Sequence, residues 1–346
     1  MSSLPDSVIG ATAGVTTSLL WVATSMFFTA AGKRIGATVV NTIRIFIAVG
    51  LLAITHRFLF DAWYPELRSR ELVFLALSGV IGLSIGDQAL FVSFVYIGPR
   101  LATLVMVTSP LWAALFAWFA LGETLTPIAM LGVGLTIFGV AWVVLERPAR
   151  KPGSSITDAE RHAARFYTRG IVLATVGAIC QAGGLLLSKQ GMGHGSENEA
   201  VRIAPQAATL VRMSFAAIGV LPIWFVNHFW LYRSRDADER PRGRWTSGMG
   251  FVLAGAVAGP YLGVWLSLVA ADNAPVGVAQ TLISLTPVFI LPFAAWISKE
   301  RITPRAIAGA VIAVLGAALL FVPVADDTTD IPQPPGVQDG GTDSGM

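Results

Sequence analysis

Three charged residues stand where a chain solvated by lipid has to account for them. Asp87 lies midway along an apolar stretch, in Ser84-Ile85-Gly86-Asp87-Gln88, and Arg44 and Arg212 each lie several residues inside another. A charge at bilayer depth costs about 2.5–3.5 kcal/mol on insertion scales, so such side chains turn to the protein interior or to water. In that setting a carboxylate and two guanidiniums can pair with each other. Asp87 can also carry a proton, and the arginines can hold a substrate carboxylate or phosphate. The competing reading is structural: Asp87 satisfied by hydroxyls or by an arginine, and Arg44 and Arg212 reaching back to the headgroups along their apolar stems. Lys189, near the end of its stretch, reads as reaching the headgroups.

Other polar groups share this depth. The amides of Gln88, Gln181 and Gln280 need partners out of water, and the aromatic rings of Trp21, Trp112, Tyr261 and Trp265 serve packing or a ligand. Ser109 and Thr286 directly precede Pro110 and Pro287, and Pro292 follows. A proline inside a helix removes a hydrogen bond and frees a carbonyl, so these hydroxyls read as cavity-lining. The candidate substrate site is therefore Trp21, Arg44, Asp87, Gln88, Ser109, Gln181, Arg212, Tyr261, Gln280 and Thr286, with Asp87 as proton-coupling candidate. Glu123 and Glu300 precede Thr126-Pro127 and Thr303-Pro304. Threonine as N-cap and proline at the first helical position make these tight turns, which the glutamates organise; gating is the second reading. No Walker A or His-Glu-x-x-His sequence occurs, so neither a nucleotide-driven pump nor a cofactor or metal is expected. Cys180, the only cysteine, excludes an intramolecular disulfide.

The elements that must position these residues follow from composition. Of 346 residues 54% are hydrophobic and only 13% charged, against about 25% charged in soluble domains. The mean hydropathy of +0.66 agrees. A helix needs about 20 apolar residues to cross the hydrocarbon core, which predicts spans at 8–30, 37–55, 72–96, 101–121 and 127–145, then 170–190, 208–227, 250–271, 276–297 and 305–323. The first is read as a retained helix rather than a cleaved leader, since no basic residue precedes it. The pattern occurs twice. Shifted by 177 positions, Gly82 falls on Gly259, Gly86 on Gly263, Pro110 on Pro287, Glu123 on Glu300, Gly132 on Gly309 and Gly139 on Gly316. Five spans per copy force the second copy to enter the bilayer inverted, a construction typical of secondary transporters with a site at the repeat interface. The expected fold is thus an all-α integral membrane protein of ten transmembrane helices in two inverted five-helix repeats, 8–145 and 170–323. A linker loop at 146–169 joins them, and a disordered acidic tail follows at 324–346.

The net charge of +3 sits in loops and is not a nucleic-acid signal. Arg147, Arg150, Lys151, Arg161, Arg165 and Arg169 lie on one side with Arg233, Arg235, Arg240, Arg242 and Arg244, which places both termini outside.

Thr108-Ser109-Pro110-Leu111-Trp112, then Leu121-Gly122-Glu123, then Gly132 and Gly139, resembles the EamA family of the drug/metabolite transporter superfamily. The second copy repeats it as Leu285-Thr286-Pro287, Lys299-Glu300, Gly309 and Gly316, with Lys299 where the family favours glycine; Trp21, Arg44 and Arg212 also resemble family landmarks. The resemblance, over residues 8–323, implies a ten-helix carrier of small metabolites, often an exporter, with a central cavity lined by both halves and cytoplasmic termini. That orientation opposes the charge count. The leading reading is a secondary transporter in the plasma or inner membrane that moves a small zwitterionic or anionic metabolite by alternating access. Its partners are that metabolite and the lipid bilayer. A membrane scaffold or receptor, or a lipid-modifying enzyme, is the alternative.

Overall fold

In a computed structural model of the chain, residues 5–35, 37–144, 158–194, 202–226, 245–286, 288–289 and 304–319 are described. Their regular structure is helical throughout. In chain order the helices are α1 (Asp6–Ile35), α2 (Ala37–Phe60), α3 (Ser69–Ser78), a π-helical segment (Gly79–Gly86), α4 (Asp87–Met106), α5 (Ser109–Leu121) and α6 (Pro127–Val144). The second half has α7 (Asp158–Gly191), α8 (Pro205–Val226), α9 (Trp245–Ala256), a second π-helical segment (Val257–Gly263), α10 (Val264–Asn273), α11 (Val276–Ile283) and α12 (Pro304–Leu319). Among the described residues six stretches are long and apolar enough to cross a bilayer: Asp6–Phe28, Val39–Phe60, Ser69–Ser93, Tyr167–Gly191, Pro205–Val226 and Gly248–Asn273. Ser109–Leu121, Pro127–Trp142 and Ile307–Ala317 are shorter apolar helices. The chain is a multi-pass integral membrane protein. Large apolar side chains such as Phe58 and Phe119 are 83% and 74% exposed, as a surface solvated by lipid allows.

Local chemistry sets the helix ends. The Thr126 hydroxyl accepts the Ala129 N–H at 3.1 Å with Pro127 as first helical residue, which starts α6. Gly122 ends α5 in the left-handed conformation, φ 65°, where a side chain would be strained. Helix continues through 97–100, where a gap between spans is expected, and breaks instead at Val107–Thr108. Pro110 is the reason: it cannot donate within a running helix but fits the first turn of a new one. Helix α7 starts at Asp158, inside the segment read as linker. Pro287, Glu300, residues 145–157 and the tail lie outside the described residues.

The duplication is visible in three dimensions. The π-helical segments end at Gly86 and Gly263, the helix breaks fall at 107–108 and 284–285, and α6 and α12 start at Pro127 and Pro304, each pair 177 apart. Helices α6 and α12 cross on their glycines. A Cβ on Gly139 would lie 2.4 Å from the Ala313 nitrogen, and one on Gly316 would lie 2.5 Å from the Thr136 nitrogen. Thr136 and Ala313 are themselves 177 apart and share a hydrogen bond of 3.4 Å from the threonine Oγ1 to the alanine carbonyl. Such close backbone approach is how helices associate in lipid. Elsewhere the repeats embrace: α3 and its π-helical extension pack on α7 and α8, while α9 and its extension pack on α1 and α2.

Candidate functional site

The site forms where the first π-helical segment runs into α4. A π-turn leaves the helix ladder imperfect and is frequent at functional sites. Asp87 is the first residue after it, and Arg44 on α2 meets it in a buried ion pair between Nη2 and Oδ2. The second carboxylate oxygen accepts the Gln181 amide from α7 at 2.7 Å. Arg44 Nε donates to Asn41 Oδ1 at 2.9 Å, and Asn41 Nδ2 donates to Gln88 Oε1 at 3.1 Å. Asn41 stands three residues before Arg44, the spacing that puts two side chains on one helix face. The guanidinium also faces the rings of Phe28 and Phe91, at 5.3 and 5.0 Å from their centroids. Both partners of the ion pair are less than a tenth exposed. Their charge is tolerated because nearly every donor and acceptor around it is used.

Arg212 on α8 is different. It is 2% exposed, its Nε has no hydrogen-bond partner, and it forms no ion pair among the described residues. Two glycines from opposite repeats leave it room. A Cβ on Gly82 would lie 2.8 Å from its Nη2, and one on Gly184 would lie 3.1 Å away. Asp87 acts on it electrostatically. The core of the crossing therefore holds two guanidiniums and one carboxylate.

Of the sequence-derived candidates, the structure brings Arg44, Asp87, Gln88 and Gln181 into one network, with Arg212 beside it. The others sit at neighbouring contacts. Tyr261, on the second π-helical segment, shares a 2.7 Å hydrogen bond with Thr55 of α2. Trp21 packs where a Cβ on Gly263 would come within 2.9 Å of its indole nitrogen. Thr286 donates to the Ser18 and Ile283 carbonyls at 3.3 and 3.1 Å. Gln280 is buried on α11, and Ser109 is buried with its hydroxyl unpartnered among the described residues. Asn41, Phe28 and Phe91 were not singled out by the sequence; an asparagine one turn from an intramembrane arginine is the signal that identifies the first of them.

Away from the crossing, Glu123 follows Gly122 off the end of α5. Its Oε2 accepts the Val276 N–H at the start of α11 at 2.8 Å. Its Oε1 lies 2.6 Å from Lys189 Nζ, which also donates to the Ala274 carbonyl at 2.8 Å. The Lys189 side chain is only 7% exposed, so it turns inward to this carboxylate rather than out to the headgroups. Gly82-Leu83-Ser84-Ile85-Gly86 spells the Gly-x-Ser-x-Gly pattern of hydrolases. Here it lies on the π-helical segment rather than a strand-to-helix turn, and Ser84 Oγ is occupied by the Ala216 carbonyl at 3.0 Å. No group of three or more potential metal ligands occurs among the described residues.

Comparison with curated proteins finds no match. A solved structure described only as "Crystal structure of protein" superposes with a TM-score of 0.65 at 18% identity, over 90% of this chain and 97% of its own. That likeness extends to the fold. At the level of sequence, residues 8–145 and 168–322 each match the EamA-like transporter family, one match per repeat. With both repeats matched in order, the chain belongs to the EamA-like transporter family.

Proposed function

We propose that the chain is a secondary transporter that carries a small anionic or zwitterionic metabolite by alternating access, with ten spans in two inverted five-helix repeats. The observation that carries this reading is Arg212: a buried guanidinium in no ion pair among the described residues, at a crossing built from both repeats. An arginine does not give up its proton in a protein, so the charge calls for an anion, and a substrate carboxylate or phosphate supplies one. Arg44 is already neutralised by Asp87 and holds the site's shape. The Asp87 carboxylate is the coupling group: a proton taken there loosens the Arg44 pair and frees Gln181.

Family membership makes this a transporter of the drug/metabolite type and weighs against the enzyme and scaffold alternatives. A polar substrate at this depth needs the two repeats to rock, because no fixed channel can serve a buried site from both faces. The test is flux in proteoliposomes across a panel of amino acids, organic acids and phosphorylated metabolites. One or more should accumulate over empty vesicles, Arg212→Gln should abolish that flux, and Asp87→Asn should remove its dependence on a pH gradient. Equal uptake by empty vesicles for the whole panel would sink the reading.

A further inference from the structure

At the end of the molecule where α5, α7 and α10 finish and α11 begins, four groups close on one another. Glu123 belongs to the first repeat; Lys189, Ala274 and Val276 belong to the second. The carboxylate takes the Lys189 ammonium on one oxygen and the first N–H of α11 on the other, while the ammonium also holds the Ala274 carbonyl. No side chain of the second repeat caps α11, whose preceding residue is Pro275. Its cap is lent by the first repeat. Gly277, one residue on, lets α5 approach so closely that a Cβ there would lie 3.0 Å from the Ala114 Cβ. The ion pair joins a buried lysine to a part-buried glutamate across the boundary between repeats, so rocking one repeat against the other at this end must break it.

We infer that Glu123 and Lys189 form a charge latch between the repeats, and that it holds this end closed and must open in each transport cycle. The inference rests on the alternating-access reading. The two contacts that cross between the repeats release together because they share the Glu123 carboxylate, while the Lys189 bond to the Ala274 carbonyl lies within the second repeat. Loss of either charge leaves the other without its counter-ion in the closed state, with only the Val276 N–H for Glu123 or the Ala274 carbonyl for the buried Lys189, while the open state exposes it to water. Removing one partner therefore shifts the population toward opening at this end.

Cys180 reports on the event. It is the only cysteine, it stands one residue before Gln181 at the crossing, and it is partly accessible. The full chain is placed in vesicles of both orientations and treated with a membrane-impermeant thiol reagent. In Lys189→Gln and Glu123→Gln, labelling of Cys180 from the Glu123 end should rise about tenfold, the shift given by roughly 1.4 kcal/mol. Lys189→Arg keeps the charge and should stay near the unsubstituted rate. Glu123→Asp is too short to hold both partners, so it should fall between and provides the readout where the glutamine variants fold poorly. Unchanged labelling from that end in variants that unfold at lower temperature would overturn the latch and leave Glu123 as a helix cap alone. The same conclusion follows if Lys189→Arg labels as fast as Lys189→Gln. The readout needs no substrate, so a failure to transport and a failure to latch are told apart.

Discussion

At the first crossing the π-helical segment Gly79–Gly86 runs into Asp87, and the arginine of the adjacent second helix, Arg44, is neutralised within its own repeat. In the second repeat the corresponding segment, Val257–Gly263, runs into Val264, and the arginine of that repeat's second helix, Arg212, lies instead at the first crossing beside Gly82, its Nε unpartnered among the described residues. The handover from π-helical segment to helix recurs at an offset of 177, Gly86 to Asp87 against Gly263 to Val264, while the arginines of the two second helices are 168 apart. On the proposed mechanism duplication supplies two hinges, and the acid-to-valine difference leaves Arg44 as structure and Arg212 for a ligand.

Making the halves alike should have the largest effect. Asp87→Val gives the first crossing the residue of the second and strands Arg44 between two phenylalanine rings. Breaking a buried pair by removing one partner costs about 3–5 kcal/mol, read as a large fall in the detergent thermal-unfolding midpoint, with transport lost. Arg44→Gln should do nearly as much, leaving the Asp87 carboxylate to Gln181 alone. Comparable stability in both variants would mean that the pair is not what holds this crossing.

The second arginine should answer in the opposite sense. Arg212→Met removes a buried charge that no described residue pairs, and replacing buried charges with apolar groups is often neutral or stabilising by about 1–4 kcal/mol. Thermal stability should hold or rise while flux is lost. A substitution that stabilises a protein and abolishes its function marks a group kept for function. If Arg212→Met instead unfolded the protein as Arg44→Gln does, the contrast between the two arginines would collapse.

Third comes a contrast in backbone approach. A Cβ on Gly79 would lie 2.0 Å from the Arg212 carbonyl oxygen, on α8 backbone that cannot turn aside. Its counterpart, Ala256, already carries a Cβ in full burial. Gly79→Ala should therefore cost about 1–3 kcal/mol by overpacking, while Ala256→Gly should cost only about 1 kcal/mol from helix propensity. Equal losses would show that the second helices press equally on both segments.

Much of this frame was legible in the sequence. The paired glycines marked the duplication; the structure places them on both π-helical segments and at the α6–α12 crossing, where only small residues permit such approach in lipid. That Asp87 needed a partner was readable from its depth; that Arg44 rather than Arg212 supplies it was not, since both arginines lie inside apolar spans. The Glu123 carboxylate illustrates the same limit. The residues around it give a turn, a cap and a helix start, all of them local. Its bonds to Lys189 and Val276 span 66 and 153 positions and are created by the packing of one repeat on the other. Lys189 read as reaching the headgroups because nothing nearby in sequence offered it a carboxylate.

The smallest effects test whether the two crossings move as one device. Ser84 and Tyr261 are 177 apart, and each hydrogen-bonds the second helix of the opposite repeat: Ser84 to the Ala216 carbonyl of α8, Tyr261 to Thr55 of α2. Neither partner is orphaned when the bond is lost. Thr55 still donates to the Leu51 carbonyl at 2.9 Å, and the Ala216 carbonyl lies within a helix ladder. Ser84→Ala and Tyr261→Phe should thus each cost only about 0.5–1.5 kcal/mol, adding within about 0.5 kcal/mol in the double variant if stability alone is measured. Accessibility should behave otherwise. In an inverted repeat, loosening one of two equivalent contacts favours opening toward one face, and loosening its twin favours the other. The single variants should shift Cys180 labelling in opposite directions between vesicle orientations, and the double should return toward the unsubstituted ratio. Shifts of the same sign would mean that the two hinges do not alternate, however alike their backbones are.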